Sequence, residues 1–333
     1  MKISRRLLVA LLLVTFIAPA QTSTYNYIRI GNHQDVATKA TAGYALMGGG
    51  SDLDQAFRFL CEKGTGGDFL ILRAAGGDDY NAYVKGLCKA NSVATLIIPS
   101  REAANDPKIA EIIRDAAVVF IAGGDQARYL NWWLHTPVED ALNAHITAGK
   151  PIGGTSAGLA VLGEYIYSAQ GDAPDDADLT SAQALANAYF QRVTVRRDFL
   201  KIDLLRDTLT DTHFAERDRM GRTLAFLARI ACDGWSQRPR AVAVDEKSAL
   251  LVEANGKSTV VGTGKGAYFL HPTEGPQVCK PATPLTLRGV SVYKVPAGGH
   301  FDLRSWTGDG GTMYSLSVDQ GQIRSTQPSL AVY

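Results

Sequence analysis

From residue 44 onward the chain alternates between short, wholly apolar runs and longer segments that are apolar on one face only. YALM at 44–47 leads through the glycine turn GGGSD into DLDQAFRFL, where apolar residues recur at helical spacing. DFLILR at 68–73 precedes AAGGDDYNAYVKGL, and SVATLIIPS precedes PKIAEIIRDA. AVVFIAGGDQARYLNWWL repeats strand, glycine turn and helix, and PVEDALNAHITAGK followed by PIGGTSAGLAVLG gives helix, strand, sharp turn and helix. Uniformly apolar strands alternating with amphipathic helices predict an α/β fold, a mostly parallel sheet with helices on both faces. After about residue 240 the rhythm changes. AVAVD, ALLVE, STVVG, GAYFLH, LTLRGVSVYKV and GTMYSLSV are short strands between turn residues. We expect an α/β domain over 21–275 and a C-terminal β-rich extension over 276–333.

The first twenty residues belong to neither pattern. Lys2, Arg5 and Arg6 precede the apolar run LLVALLLVTFIA, which is too short to span a bilayer, and APA follows. This is the layout of a signal peptide cleaved near Ala20, which predicts a secreted or periplasmic protein with no membrane segment in its mature form. The 333 residues carry a formal net charge of +1 and are 46% hydrophobic, so no basic field invites nucleic acid. Export also changes the reading of four cysteines. Cys61 and Cys88 each sit near the end of a helix of one βα repeat and are expected to pair, leaving Cys232 with Cys279. No close His/Cys cluster points to a metal site.

The chemistry concentrates at glycine turns that follow strands, where open α/β sheets place their sites. GGGSDLD lacks the third glycine of a dinucleotide fingerprint. GTSAG at 154–158 is a version of the G-x-S-x-G elbow, with Ser156 either capping a helix or acting as a nucleophile. Gly154 and Gly158 permit a strained backbone and a close approach of substrate. The N–H of Ala157 would face a developing oxyanion, and Gly124 in AGGDQ at 122–126 offers a second donor. In that turn Asp125 is the cap expected of an ordinary helix start, and Gln126 would point an amide into the cleft. A serine needs a base. Of six histidines, His213 lies at the carboxyl end of a predicted strand, whereas His33, His271 and His300 lack a site context and His135 and His145 are expected on solvent-facing helix surfaces. The orienting acid is Glu246, Asp245 or Asp172, three positions the residues alone do not separate.

GGTSAG, AGGDQ upstream, DTHFAERDRMGR downstream and VDE after that stand in the order and spacing of the cyanophycinase family. The chain resembles that family of serine peptidases over about residues 44–255. The resemblance implies a fold like that of class I glutamine amidotransferase domains, kinship with aspartyl dipeptidases, and a Ser-His-Glu triad of Ser156, His213 and Glu246. It implies a peptide or cyanophycin-like polymer as substrate, cleaved at β-aspartyl residues, no metal or organic cofactor, and a homodimer. Gln126, Asp211, Arg217, Arg219 and Arg222 match the family's substrate-pocket positions. A guanidinium fork holds a carboxylate at two points, as a free aspartyl α-carboxylate requires. If the three arginines stood on a helix they would not all face one pocket, so at least one is expected to pair with Asp218 or Glu216. Thr212 replaces the glutamine expected beside the histidine, and the export signal and β extension also depart from the intracellular type. Two other readings are an amidase or acyl hydrolase on the same fold, although an amidotransferase would carry cysteine at position 156, and a binding module that has lost catalysis.

Overall fold

The computed structural model describes residues 24–171 and 178–333. The expected signal peptide and Asp172 lie outside the described residues. Helices surround two mixed sheets. In the first, Ser92–Ile97, Phe69–Arg73, Val118–Ile121, Ile152–Thr155 and Gly43–Met47 run parallel as neighbours in that order. Asn26–Gly31 pairs antiparallel on one side, and Ser248–Glu253, Lys257–Gly262, His300–Asp302 and Thr307–Asp309 continue antiparallel on the other. The inner strands are apolar throughout because helices cover both faces, and Ser92–Ile97 and Val118–Ile121 are buried along their whole length. The helices begin where chemistry predicts. Asp106 accepts from the Lys108 N–H ahead of Pro107–Asp115, and Asp125 accepts from the Ala127 N–H ahead of Gln126–Trp133.

The second sheet runs Gln322–Ser325, Thr312–Asp319, Leu287–Val295, Ala267–Pro272, Arg240–Val244, Thr208–Asp211, Tyr165–Tyr167 and Val195–Arg197. Arg240–Val244 ties the two halves together through its two-residue period. Val242 and Val244 enter the core shared with Leu250, Phe269 and Phe301, while Ala241 and Ala243 face the core built on helix Met220–Cys232. The stretch 276–333 therefore stands in both layers. Leu287–Val295 and Thr312–Asp319 join the second sheet, and His300–Asp302 joins the first. Strand alternation reveals that a segment is β without revealing which sheet receives it.

Two expectations are corrected here. His145 is buried, not solvent-facing: its Nε2 lies 3.0 Å from the Pro151 carbonyl, and burial lowers its pKa to about 4. Its helix, Pro137–Thr147, packs against Pro107–Asp115, and His145 stands among its buried positions with Leu142 and Ile146. Cys61 and Cys88 form a disulfide, but Cys232 and Cys279 remain free. The second pair does meet, thiol hydrogen-bonded to thiol, and burial followed by that contact pushes Cys279 up to about 12.

Peptide mapping without reductant should recover the Cys61–Cys88 link and alkylate both remaining cysteines, the exposed Cys232 faster than the half-buried Cys279. The linked residues are 27 apart, so Cys61→Ser should lower the unfolding free energy by about 3 kcal/mol in urea titration. A second bridge in the map, or an unchanged midpoint, contradicts this description.

Candidate active site

Ser156 follows Ile152–Thr155 directly and precedes the short helix Ala157–Ala160. Its backbone is in an unusual region, φ 52° and ψ −120°, as a sharp strand-to-helix turn demands. The glycines on either side exist for close packing. A Cβ on Gly158 would stand 2.0 Å from the Ile121 carbonyl oxygen, and one on Gly154 would stand 2.5 Å from Gly158. The helix thus lies flat against the sheet and lifts the serine out of it. Gly123 lies alongside, where a Cβ would stand 3.5 Å from that of Ser156. The turn that carries Gly123 and Gly124 is fastened by Tyr129, whose hydroxyl donates to the carbonyls of Ala122 at 2.8 Å and Gly123 at 3.2 Å.

The imidazole of His213 reaches Ser156 from the other sheet. Its Nε2 is 2.7 Å from Ser156 Oγ and its Nδ1 is 2.5 Å from Glu246 Oε1. A carboxylate only accepts, so Nδ1 carries the proton and Nε2 is free to accept from the serine hydroxyl. Burial holds His213 below its ordinary range, against the pull of Glu246, so the ring is neutral near neutral pH. Burial, the largest single influence, raises Glu246, but His213 and Arg217 together outweigh it and hold the carboxyl below its usual range.

What aligns these groups is the glycine run after Gly43–Met47. The Met47 carbonyl accepts from the Ser156 N–H at 3.1 Å, that of Gly48 from the His213 N–H at 2.8 Å, and that of Gly49 from the Lys247 N–H at 2.9 Å, one residue past Glu246. Three successive carbonyls therefore hold the three segments. Side chains have no room there. Gly49 sits at φ +102°, and a Cβ on it would stand 2.3 Å from His213 Cε1; one on Gly50 would stand 3.0 Å from Glu246 Oε2. Sequence reasoning weighs this run only as a nucleotide turn. The available signal is three consecutive glycines at the carboxyl end of a buried strand.

Asp245 has a separate task. Its Oδ1 accepts from the N–H groups of Ala215 and Glu216 at 2.9 and 2.8 Å, which fixes the turn after His213. The arginines overturn another expectation. Helix Met220–Cys232 begins after Arg219, so Arg217 and Arg219 lie on a turn and all three guanidinium groups converge on Asp178. Arg222 also grips Asp211 through Nε at 3.1 Å and Nη2 at 2.5 Å, and Thr223 donates to the same carboxylate at 2.6 Å. Burial opposes ionisation of Asp211, but Arg222 keeps its pKa below the usual value. Arg219 donates to the carbonyl and hydroxyl of Thr212 at 3.0 and 3.1 Å, while Arg217 Nε reaches Glu246 Oε1 at 3.3 Å. Among the described residues no arginine pairs with Asp218; Tyr333 donates to it at 2.9 Å and accepts from the Met220 N–H at 2.8 Å. Gln126 lies at the margin, its amide 3.5 Å from the Tyr167 carbonyl. Among the described residues no three His, Cys, Asp or Glu side chains are grouped to hold a metal ion.

A half-buried elbow serine, a neutral imidazole and a carboxylate in line define an α/β hydrolytic enzyme of the serine type. The sequence profile of peptidase family S51 matches residues 73–256, more than half of the chain, and the chain belongs to that family. It is 25% identical over 221 residues to the cyanophycinase of Trichormus variabilis, covering 64% of this chain and 66% of that one. Against the cyanophycinase of Geminocystis herdmanii it is 24% identical, covering 65% and 73%. Against that of Synechococcus elongatus it is 30% identical over 175 residues, covering 52% and 47%. The chain thus spans about two thirds or less of the length of two of these three relatives. A solved peptidase from an acI-B1 Actinobacterium superposes with a TM-score of 0.47 at 18% identity, over 68% of this chain and 90% of that one.

Gly49→Ala should leave a folded protein, destabilised by about 1–3 kcal/mol from the positive φ, and lower kcat by about 100-fold as His213 is displaced. Peptidase kinetics beside thermal unfolding would test this, and an unimpaired kcat would contradict the role assigned to the glycine run.

Proposed function

We propose that the chain is an exported serine exopeptidase of the cyanophycinase type, cleaving peptide bonds at β-aspartyl residues through an acyl-enzyme on Ser156. The observation that carries this reading is the continuous line from Ser156 Oγ to His213 Nε2 and from His213 Nδ1 to Glu246. In the first step His213 Nε2 takes the serine proton as Oγ bonds to the substrate carbonyl carbon. The carbonyl oxygen becomes an oxyanion facing the N–H groups of Gly124 and Ala157. The imidazolium, stabilised by Glu246, then protonates the departing amine and leaves an ester on Ser156. Water attacks that ester while His213 again accepts a proton, and the serine is regenerated.

Arg217, with about half of its side chain exposed, stands nearest to the role of meeting an acidic substrate, while Arg219 and Arg222 are buried behind it. Export is supported by the basic and apolar first twenty residues and by the Cys61–Cys88 bridge, a bond suited to an oxidising compartment. No helix among the described residues is long and apolar enough to cross a membrane.

Ser156→Ala should retain the wild-type melting temperature and lose at least about 10⁴-fold in kcat on β-aspartyl dipeptides and cyanophycin, followed by mass spectrometry. Full activity in that variant would refute the nucleophile. The depressed His213 pKa sets the acid limb. Because the neutral ring is the base, kcat/KM should rise with pH through an apparent pKa below 6.5 and be level by neutrality. An acid limb centred above 6.5 would contradict a buried, neutral imidazole.

A further inference from the structure

We propose that Asp178 is a specificity-determining residue: its carboxylate occupies, in the free enzyme, the guanidinium positions that the carboxylate of an acidic substrate requires. The inference rests on the preceding reading of the site and concerns what that site admits.

Three guanidinium groups meet one carboxylate at this point. Asp178 Oδ2 is gripped by Arg219 Nη2 and lies 3.9 Å from Arg217 Nη1, and Oδ1 lies 3.3 Å from Arg222 Nη1. This is how a carboxylate ligand would be held. The local charges are already matched. Arg217, Arg219 and Arg222 supply three positive charges, and Asp178, Asp211 and Glu246 supply three negative ones. With His213 neutral, an arriving carboxylate finds no uncompensated cation among the described residues of this cluster and meets like charge. For the substrate to gain the arginines, one carboxylate must give way.

Burial and partners decide which. Asp211 is 2% exposed and bound by Arg222 and Thr223, so it belongs to the fold. Glu246 is committed to His213. The Asp178 side chain is 46% exposed, and each of its described ion-pair partners is an arginine of this cluster. Burial raises its pKa, but Arg219 and Arg222 together hold it ionised. A further donor stands on the guanidinium that grips it: Arg219 Nε is buried with no hydrogen-bond partner among the described residues. The cluster is also tied to the catalytic carboxylate, since Arg217 reaches both Asp178 and Glu246. A substrate carboxylate that replaced Asp178 would therefore lie one arginine away from the triad.

The test compares wild type with Asp178→Asn, which keeps the shape and removes the charge, and with Asp178→Ser. Substrates are a β-aspartyl dipeptide and the same dipeptide with its aspartyl α-carboxylate amidated. The expected result is a KM for the free acid at least about 5-fold lower in both variants, kcat within about 2-fold of wild type, and an unchanged KM for the amide. A binding readout avoids turnover altogether: succinate titrated calorimetrically into Ser156→Ala and into Ser156→Ala/Asp178→Asn should bind more tightly to the latter. An unchanged or raised KM for the acid, an equal change for the amide, or loss of folding in both variants overturns the proposal and makes Asp178 structural. If wild type cleaves no aspartyl peptide, the functional reading fails, and the succinate titration alone decides this one.

Discussion

Three successive backbone carbonyls at the end of one buried strand hold the segments that bear Ser156, His213 and Glu246. The strand Gly43–Met47 lies at the junction of parallel and antiparallel pairing in the first sheet, with Ile152–Thr155 on one side and Ser248–Glu253 on the other. Its continuation reaches across to the turn after Thr208–Asp211 in the second sheet. Serine and imidazole thus come from different sheets and are brought into register by main-chain hydrogen bonds, which no side-chain substitution at those carbonyl positions replaces. The same run explains the glycines. The imidazole lies directly on the backbone of Gly49, and the space that admits the ring is the space a methyl group would fill.

Around this line three carboxylates each have a distinct mechanical effect. Asp245 pins the turn after His213, Asp211 pins Arg222, and Glu246 orients the imidazole. Removing Asp211 would strip buried Arg222 of its bidentate partner, and removing Asp245 would leave the N–H groups of Ala215 and Glu216 without their acceptor; either costs more than an exposed ion pair contributes. The residues near the C-terminal side of the sequence join in. Tyr333 stands with its ring edge-on to Phe214 at 5.7 Å and its hydroxyl between Met220 and Asp218, so it clamps the turn bearing the histidine and arginines.

The parallel strands are legible in the sequence because helices cover both faces and leave apolar runs with no polar alternation. The serine elbow is legible because small residues on both sides of one hydroxyl have few other uses. What escapes is whatever depends on the direction of a turn. Glu246 and Asp245 are neighbours, and only the backbone path decides which carboxylate faces the imidazole. Arg217 and Arg219 look incompatible with one pocket because the stretch reads as helix, whereas the helix starts at Met220 and the preceding turn swings both side chains inward. The second sheet reads as an appendage because alternation carries no information about partners. Cys232 and Cys279 come together, yet as thiols, since proximity sets the opportunity for a bond and not its oxidation state.

The central claim is covalent chemistry at Ser156 driven by His213. Turnover of a β-aspartyl anilide, quenched in acid and digested, should yield a peptide carrying an aspartyl ester on Ser156, and His213→Ala should yield none. Normal turnover with Ser156 never modified, or with the acyl group on another residue, would contradict the account.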